Sequence, residues 1–242
     1  MNESALGAQR QYSVWNAMVD IVAAPATAID EIRHRVSWLW WPLVITIVAS
    51  SGVFAFYYMW VDFPWMVDEM IRATVPPGAD PAQAQAMRDF MSPTGQVTMT
   101  AIGITIVTML IYAIQSGYLH LVNKVAGEPS LRFGQWFALS AWTGFLGIFN
   151  ILAMVVVMVT AGTNQVQVHE LAPLSMNALF IHAEPGATWF TWGNSLTLVH
   201  LWILALLVLG FARWTGASLA KSTVLVTAPW VLVFGLWAFL IS

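Results

Sequence analysis

Few side chains in this 242-residue sequence could do chemistry, and those that could fall into three groups. The first is histidine within apolar sequence. His200 lies well inside a long uncharged run, and His120 stands near the end of another. An imidazole in that setting is by default a functional group, serving as proton relay, ligand or gate. No carboxylate stands in any of these runs to complete a proton path, so the competing reading is a neutral His200 hydrogen-bonded to Thr, to Asn150 or to a carbonyl. The second group is a stripe: Thr98, Ala101, Thr105, Thr108, Tyr112 and Gln115 recur alternately three and four apart and share one helical face. Polar groups are costly in hydrocarbon, so this face should look into a bundle or a wet cavity, where with His200 it could line a path for a cation, a proton or a small solute. Helix packing is the plainer alternative, because Thr hydroxyls commonly bond back to their own helix. The third group, His169 and Glu170 with His182 and Glu184, could offer nitrogen and oxygen ligands to a divalent metal. It lacks the i, i+4 histidine spacing of a zincin helix, and solvated loop histidines read equally well.

Other chemistry finds no support. There is no G-x-S-x-G, no phosphate-cradling glycine loop, no H-E-x-x-H and no carboxylate pair within an apolar run, so an enzyme is not expected. With no cysteine, disulfides, iron–sulfur clusters and thiolate zinc sites are ruled out, and no cofactor is implied. No clustered basic and aromatic face exists to hold nucleic acid.

The elements that must position these residues follow from composition. The chain is 59% hydrophobic and 9% charged, with mean hydropathy +0.71 and 14 Trp, whereas a soluble domain carries charge on about a quarter of its residues. A spanning helix needs about 20 mostly apolar residues to cross a core about 30 Å thick. Five runs qualify: Trp38 to Trp60, Val97 to His120, Trp136 to Ala161, Ser195 to Phe211 and Ser222 to Ile241. The fold class is therefore all-α, a polytopic membrane bundle of five spans. Pro229 in the last span removes a helical hydrogen bond and predicts a kink, with Thr223 and Thr227 near enough to compensate locally. Small residues four apart at Ser51/Ala55, Ala113/Gly117, Ser140/Gly144 and Ala212/Gly216 suit close helix contact and self-association into a homo-oligomer.

Orientation follows from the basic residues. Arg10, Arg33, Arg35, Lys124, Arg132, Arg213 and Lys221 fall on one side of the spans, and only Arg72 and Arg88 on the other. Lys and Arg are retained in the cytoplasm, which predicts an N-terminus inside and a C-terminus outside. No signal peptide is visible, so the first span is expected to act as its own insertion signal. Residues 1–37 form a separate N-terminal segment before the five-span domain 38–242. In it Trp15, Met18 and Val22 repeat at helical spacing, Pro25 divides the segment, and Ile29 and Ile32 continue an apolar face opposite Asp30, Glu31 and Arg33. This predicts an amphipathic helix in the bilayer interface, with Arg33, His34 and Arg35 near anionic headgroups and Trp15, Trp38, Trp40 and Trp41 at the same level. Packing beneath the bundle is the alternative. In the 61–96 loop, Asp80-Pro81-Ala82-Gln83 predicts a capped helix to about Met91, with Ala84, Met87 and Met91 on its apolar side.

Several of these residues also carry a resemblance. Asp20-Ile21-Val22-x-x-Pro25, Ile29-x-x-Ile32 and Trp38-Leu39-Trp40-Trp41-Pro42-Leu43 are similar to the opening of Yip1-domain membrane proteins. So are Arg132-Phe133-x-Gln135-x-Phe137-Ala138-Leu139-Ser140-Ala141-Trp142, His200-Leu201-Trp202 with Gly210-Phe211, and Lys221 before Pro229-Trp230. The similarity spans nearly the whole chain. It implies five spans with the N-terminus in the cytoplasm and no catalytic residues to carry over. Eukaryotic relatives are associated with Rab-type GTPases, vesicle traffic and membrane shaping. Their long N-terminal region with its acidic, Tyr-Gly-Pro-type motif has no counterpart here, which argues against a GTPase partner. The resemblance points instead to a membrane organiser or interaction scaffold of the prokaryotic type, in a bacterial inner membrane.

Overall fold

A computed structural model of the chain describes residues 12–76, 80–126 and 131–242; Arg10, counted above among the basic residues, lies outside them. Helices begin where the sequence offers a cap. Ser13 opens α1 (Val14–Ala23) through a reciprocal pair with Asn16, the Asn16 N–H donating to Ser13 Oγ and the Ser13 N–H to Asn16 Oδ1. Pro25 sits in the first turn of α2 (Pro25–His34). A 3-10 turn, Val36–Leu39, leads into α3 (Trp40–Trp60), followed by α4 (Phe63–Thr74) capped by Asp62. The capped helix expected in the next loop is α5 (Pro81–Phe90), with Asp80 Oδ1 accepting from the Ala82 N–H at 2.9 Å. Its cap is one-sided: the Gln83 N–H donates to the Asp80 carbonyl at 2.9 Å, but the Gln83 side chain does not close a capping box. Ala84, Met87 and Met91 are the residues through which this segment packs, as their spacing predicts.

Five segments are long and apolar enough to cross a membrane. These are α3 with its preceding turn, α6 (Pro93–Ala126), the run of α7 (Phe133–Gly144), a 3-10 turn and α8 (Ile148–Thr160), α10 (Leu198–Thr215), and α11 (Leu219–Ile241). A short α9 (Phe190–Ser195) precedes α10, so the fourth span begins three residues later than expected and runs four residues further. The cause is Thr197, which takes extended backbone, caps α10 and thereby separates it from α9. α11 continues through Pro229 without a break.

Two apolar clusters hold the bundle, one near each end. The first joins Ile21, Ile29, Ile32, Trp136, Trp142, Leu207, Phe211 and Trp214; the second joins Val53, Tyr57, Met66, Ile71, Met154 and Met158. α6 packs against α3 and α7, while α10 packs against α11, α7 and α2. The most apolar windows of α6 and α11 bury 0% and 6% of their residues, so both present apolar surface outward, as helices bathed in lipid do.

The N-terminal segment differs from its expected face. Ala17, Ile21, Ala28, Ile29 and Ile32 are fully buried against the bundle, whereas Trp15, Val19 and Val22 are exposed. Ile29 and Ile32 thus pack inward as their spacing indicated, but on α1 the packed stripe is Ala17 and Ile21, and the Trp15/Val22 side faces away. A helix apolar on both sides offers two candidate stripes, and periodicity alone cannot choose between them.

Candidate functional site

The histidine-bearing fourth span is positioned by an unusual cap. Thr197 Oγ1 accepts from the His200 N–H at 3.4 Å, and the Thr197 N–H donates to His200 Nδ1 at 3.1 Å. His200 therefore occupies the place that Glu or Gln takes in a capping box, in the first turn of α10. Because Nδ1 accepts a backbone N–H, the ring proton of neutral His200 resides on Nε2. Asn150 Nδ2 donates to the Thr197 hydroxyl at 3.4 Å, and an isolated antiparallel bridge from Ser175 to Thr197 anchors the turn. The ring leans on Trp230, with centroids 6.0 Å apart.

His200 and Gln115 come together in a cavity of about 470 Å³ between α6, α10 and α11. Its walls include Ile111, Ile114, Leu207, Val226, Val233 and Phe234, and no lining residue is acidic. The polar lining groups are committed to their own scaffold. Gln115 Nε2 donates to Ser140 Oγ at 3.0 Å, Ser195 Oγ donates to the Thr191 carbonyl at 2.7 Å, and the Tyr118 hydroxyl donates to the Leu225 carbonyl at 2.7 Å. The last bond answers the proline. Pro229 has no N–H for the carbonyl one turn back, which is that of Leu225, and Tyr118 of a different helix supplies the missing donor. Thr223 and Thr227, expected to compensate, bond instead to the carbonyls of Leu219 and Thr223. Tyr118 was missed as a site residue, although its place three positions beyond Gln115 extends the stripe toward the cavity.

The remaining stripe residues do not join this cavity. Thr98 and Thr105 are exposed and donate to their own helix, at Thr94 O and Ala101 O. Thr108 is half-buried. Tyr112 lies over Gly144, where a Cβ would fall 1.9 Å from the phenolic oxygen. Of the four small-residue pairs, Ser140/Gly144 is thus the one that receives a ring from the neighbouring span, and Ser116 adds a hydroxyl contact to Ser140 at 3.1 Å.

In the segment between α8 and α9, His169 lies edge-on to Phe190 with centroids 5.1 Å apart, and Glu170 accepts from the Gln167 N–H at 2.6 Å. His182 is exposed in the left-handed backbone region, and Glu184 is exposed. Among the described residues no three His, Asp or Glu side chains converge as a metal would require. Nearer the N-terminus, Arg35 stacks over Trp38 at 4.6 Å from its centroid and pairs with Glu31. Trp15 and Trp41 touch at 5.5 Å between centroids, and Trp40 is exposed beside them. Arg33 is half-buried at the end of α2.

Five apolar crossing helices with no strand among the described residues define a polytopic α-helical integral membrane protein. The Yip1 domain model matches residues 19–240, and the chain belongs to the Yip1 family, a non-enzymatic family of membrane proteins. Comparisons with curated proteins and with solved structures give no match.

Proposed function

We propose that this protein organises the membrane in which it sits, acting as a scaffold without catalysis whose N-terminal helix pair forms an apolar ledge in one leaflet. The observation that carries this reading is the two-sided character of α1. Ala17 and Ile21 clamp it to the bundle, while Trp15, Val19 and Val22 are 59%, 65% and 37% exposed and continue into Trp41 and Trp40. A helix held rigidly with an apolar outer face takes up area at the headgroup boundary of one leaflet only, and area asymmetry favours curvature. With Arg33, Arg35, Lys124, Arg132, Arg213 and Lys221 all on the ledge side of the spans, retention of basic residues in the cytoplasm supports a cytoplasmic ledge in a bacterial inner membrane. Self-association belongs to this reading, because a Cβ at Gly103 or Gly117 of α6 would meet no neighbour within 4 Å.

The test is reconstitution into vesicles of defined lipid, with diameters measured by electron cryomicroscopy at fixed protein-to-lipid ratio. The wild type should narrow the vesicles, and Trp15→Ser/Val19→Ser/Val22→Ser should lose that effect while keeping the fold, since none of the three is in the buried set. Equal diameters for both proteins would refute the ledge. A second reading, a path for a cation, proton or small solute, is favoured by one observation: Gln115 and His200 share a cavity. It requires flux into proteoliposomes above empty vesicles that falls in His200→Ala.

A further inference from the structure

A second cavity, of about 490 Å³, opens at the end of the bundle that carries α1 and α2, lined by Arg33, His34, Val36, Arg132, Gly134 and Gln135. Among the described residues its two arginines have no ion-pair partner, although Asp30 feels the Arg33 and His34 charges at longer range. The two carboxylates of α2 are engaged elsewhere, Glu31 with Arg35 and Asp30 with Arg213. Two guanidiniums on one cavity repel each other and present N–H forks suited to an anion with paired oxygens.

The two arginines are also held in place. Gln135 Nε2 donates to the Arg33 carbonyl at 3.1 Å, and Gln135 Oε1 accepts from the Arg132 N–H at 2.9 Å, so one side chain ties together segments about 100 residues apart. Gly134, in the first turn of α7, adds the positive end of a helix dipole to the lining. The level of the cavity in the bilayer follows from its neighbours. Val36 belongs to the turn that leads into Trp38, Trp40 and Trp41, and the last two are 58% and 45% exposed, as rings at the headgroup level are.

We infer that this cavity binds the phosphate of an anionic lipid headgroup, with Arg33 and Arg132 as its charged contacts and Gln135 as the residue that positions both. The chemistry recognised is a phosphate with its oxygens, which inorganic phosphate also offers; the interfacial level is what favours the lipid. The inference is independent of the ledge, since it uses none of Trp15, Val19 and Val22.

The test is native mass spectrometry of the delipidated full chain in detergent, titrated with short-chain phosphatidylglycerol, with phosphatidylcholine and with inorganic phosphate. Phosphatidylglycerol should bind in preference to phosphatidylcholine, and millimolar phosphate should not displace it. Arg33→Gln/Arg132→Gln should weaken that binding roughly tenfold or more, given about 1 kcal/mol per basic residue at an anionic surface. Arg72→Gln/Arg88→Gln, which removes the same charge at the other end, should leave it unchanged. Gln135→Glu keeps the acceptor for the Arg132 N–H, loses the donor to the Arg33 carbonyl and places a carboxylate between the arginines; with the fold checked by thermal unfolding, it should weaken binding as well. Binding by Arg33→Gln/Arg132→Gln or by Gln135→Glu equal to wild type overturns the site. Inorganic phosphate that binds while phosphatidylglycerol shows no preference overturns the lipid.

Discussion

Leu225 loses its helical hydrogen bond because residue 229 is proline, and a tyrosine from another span restores it. A buried carbonyl left without a donor costs about 1–3 kcal/mol, so Tyr118→Phe should destabilise the bundle by about that amount in detergent unfolding. In a Pro229→Ala background the new N–H of residue 229 can reach Leu225, and the same Tyr118→Phe change should then cost much less. Equal penalties in both backgrounds would show that the tyrosine hydroxyl does not serve the proline. Gly144 makes a second residue-scale case. An added Cβ would lie 1.9 Å from the Tyr112 oxygen and 2.5 Å from its ring, so Gly144→Ala should cost about 1–3 kcal/mol through overpacking. Pairing it with Tyr112→Leu should recover part of that loss; no recovery would place the strain elsewhere. The sequence announces Pro229, Gly144 and His200 as unusual residues. It does not say that Tyr118 meets the first, Tyr112 the second, or Thr197 the third.

The pairing of α2 with α10 shows how one element is fastened to another. Trp214 Nε1 donates to the Ile29 carbonyl at 3.0 Å in a buried contact, and outside it Arg213 Nε donates to Asp30 Oδ1 at 2.8 Å. The Arg213 guanidinium beside Asp30 holds that carboxyl below its ordinary range, against a smaller opposing effect of burial. A lowered carboxylate pKa contributes stability that is fully present above the ordinary Asp value and is lost as pH falls through the lowered one. Both side chains are about half exposed, 40% for Arg213 and 50% for Asp30, so solvent screening limits the contribution to about 0–1 kcal/mol. Thermal unfolding followed from pH 5 downward, in the range where Asp titrates at about 4, should therefore show a shallow acid loss that Asp30→Asn flattens. Identical slopes would remove the pair from the account of acid stability. One helix start was legible at this scale, because Asp80-Pro81 is a cap by chemistry; the Ser13 and Thr197 caps emerged only in the structure, and Thr197 moves the start of the fourth span. Which face of α1 packs was not legible, because both of its faces are apolar.

For the whole molecule, the alternation of basic segments and apolar runs determines the order of crossings, and the absence of cysteine makes the orientation simple to test. Single cysteines at Ser13→Cys and Ser242→Cys in intact cells should react with a membrane-impermeant maleimide only at the second site, and the first should label only after the membrane is opened. The reverse pattern would invert the topology proposed for the ledge and the phosphate cavity together. By itself the sequence determined the five spans, their order and their membrane setting, because hydropathy and helix length answer to the bilayer, a solvent that acts on each segment separately. Only the tertiary structure decided that Thr98 and Thr105 face outward while Gln115 bonds to Ser140 and shares a cavity with His200, that α1 packs through Ala17 and Ile21, and that Gln135 ties the Arg33 and Arg132 backbones together. Those outcomes depend on how helices rotate against one another, and in a lipid solvent rotation is set by packing and a few polar contacts between distant residues, which no local pattern encodes.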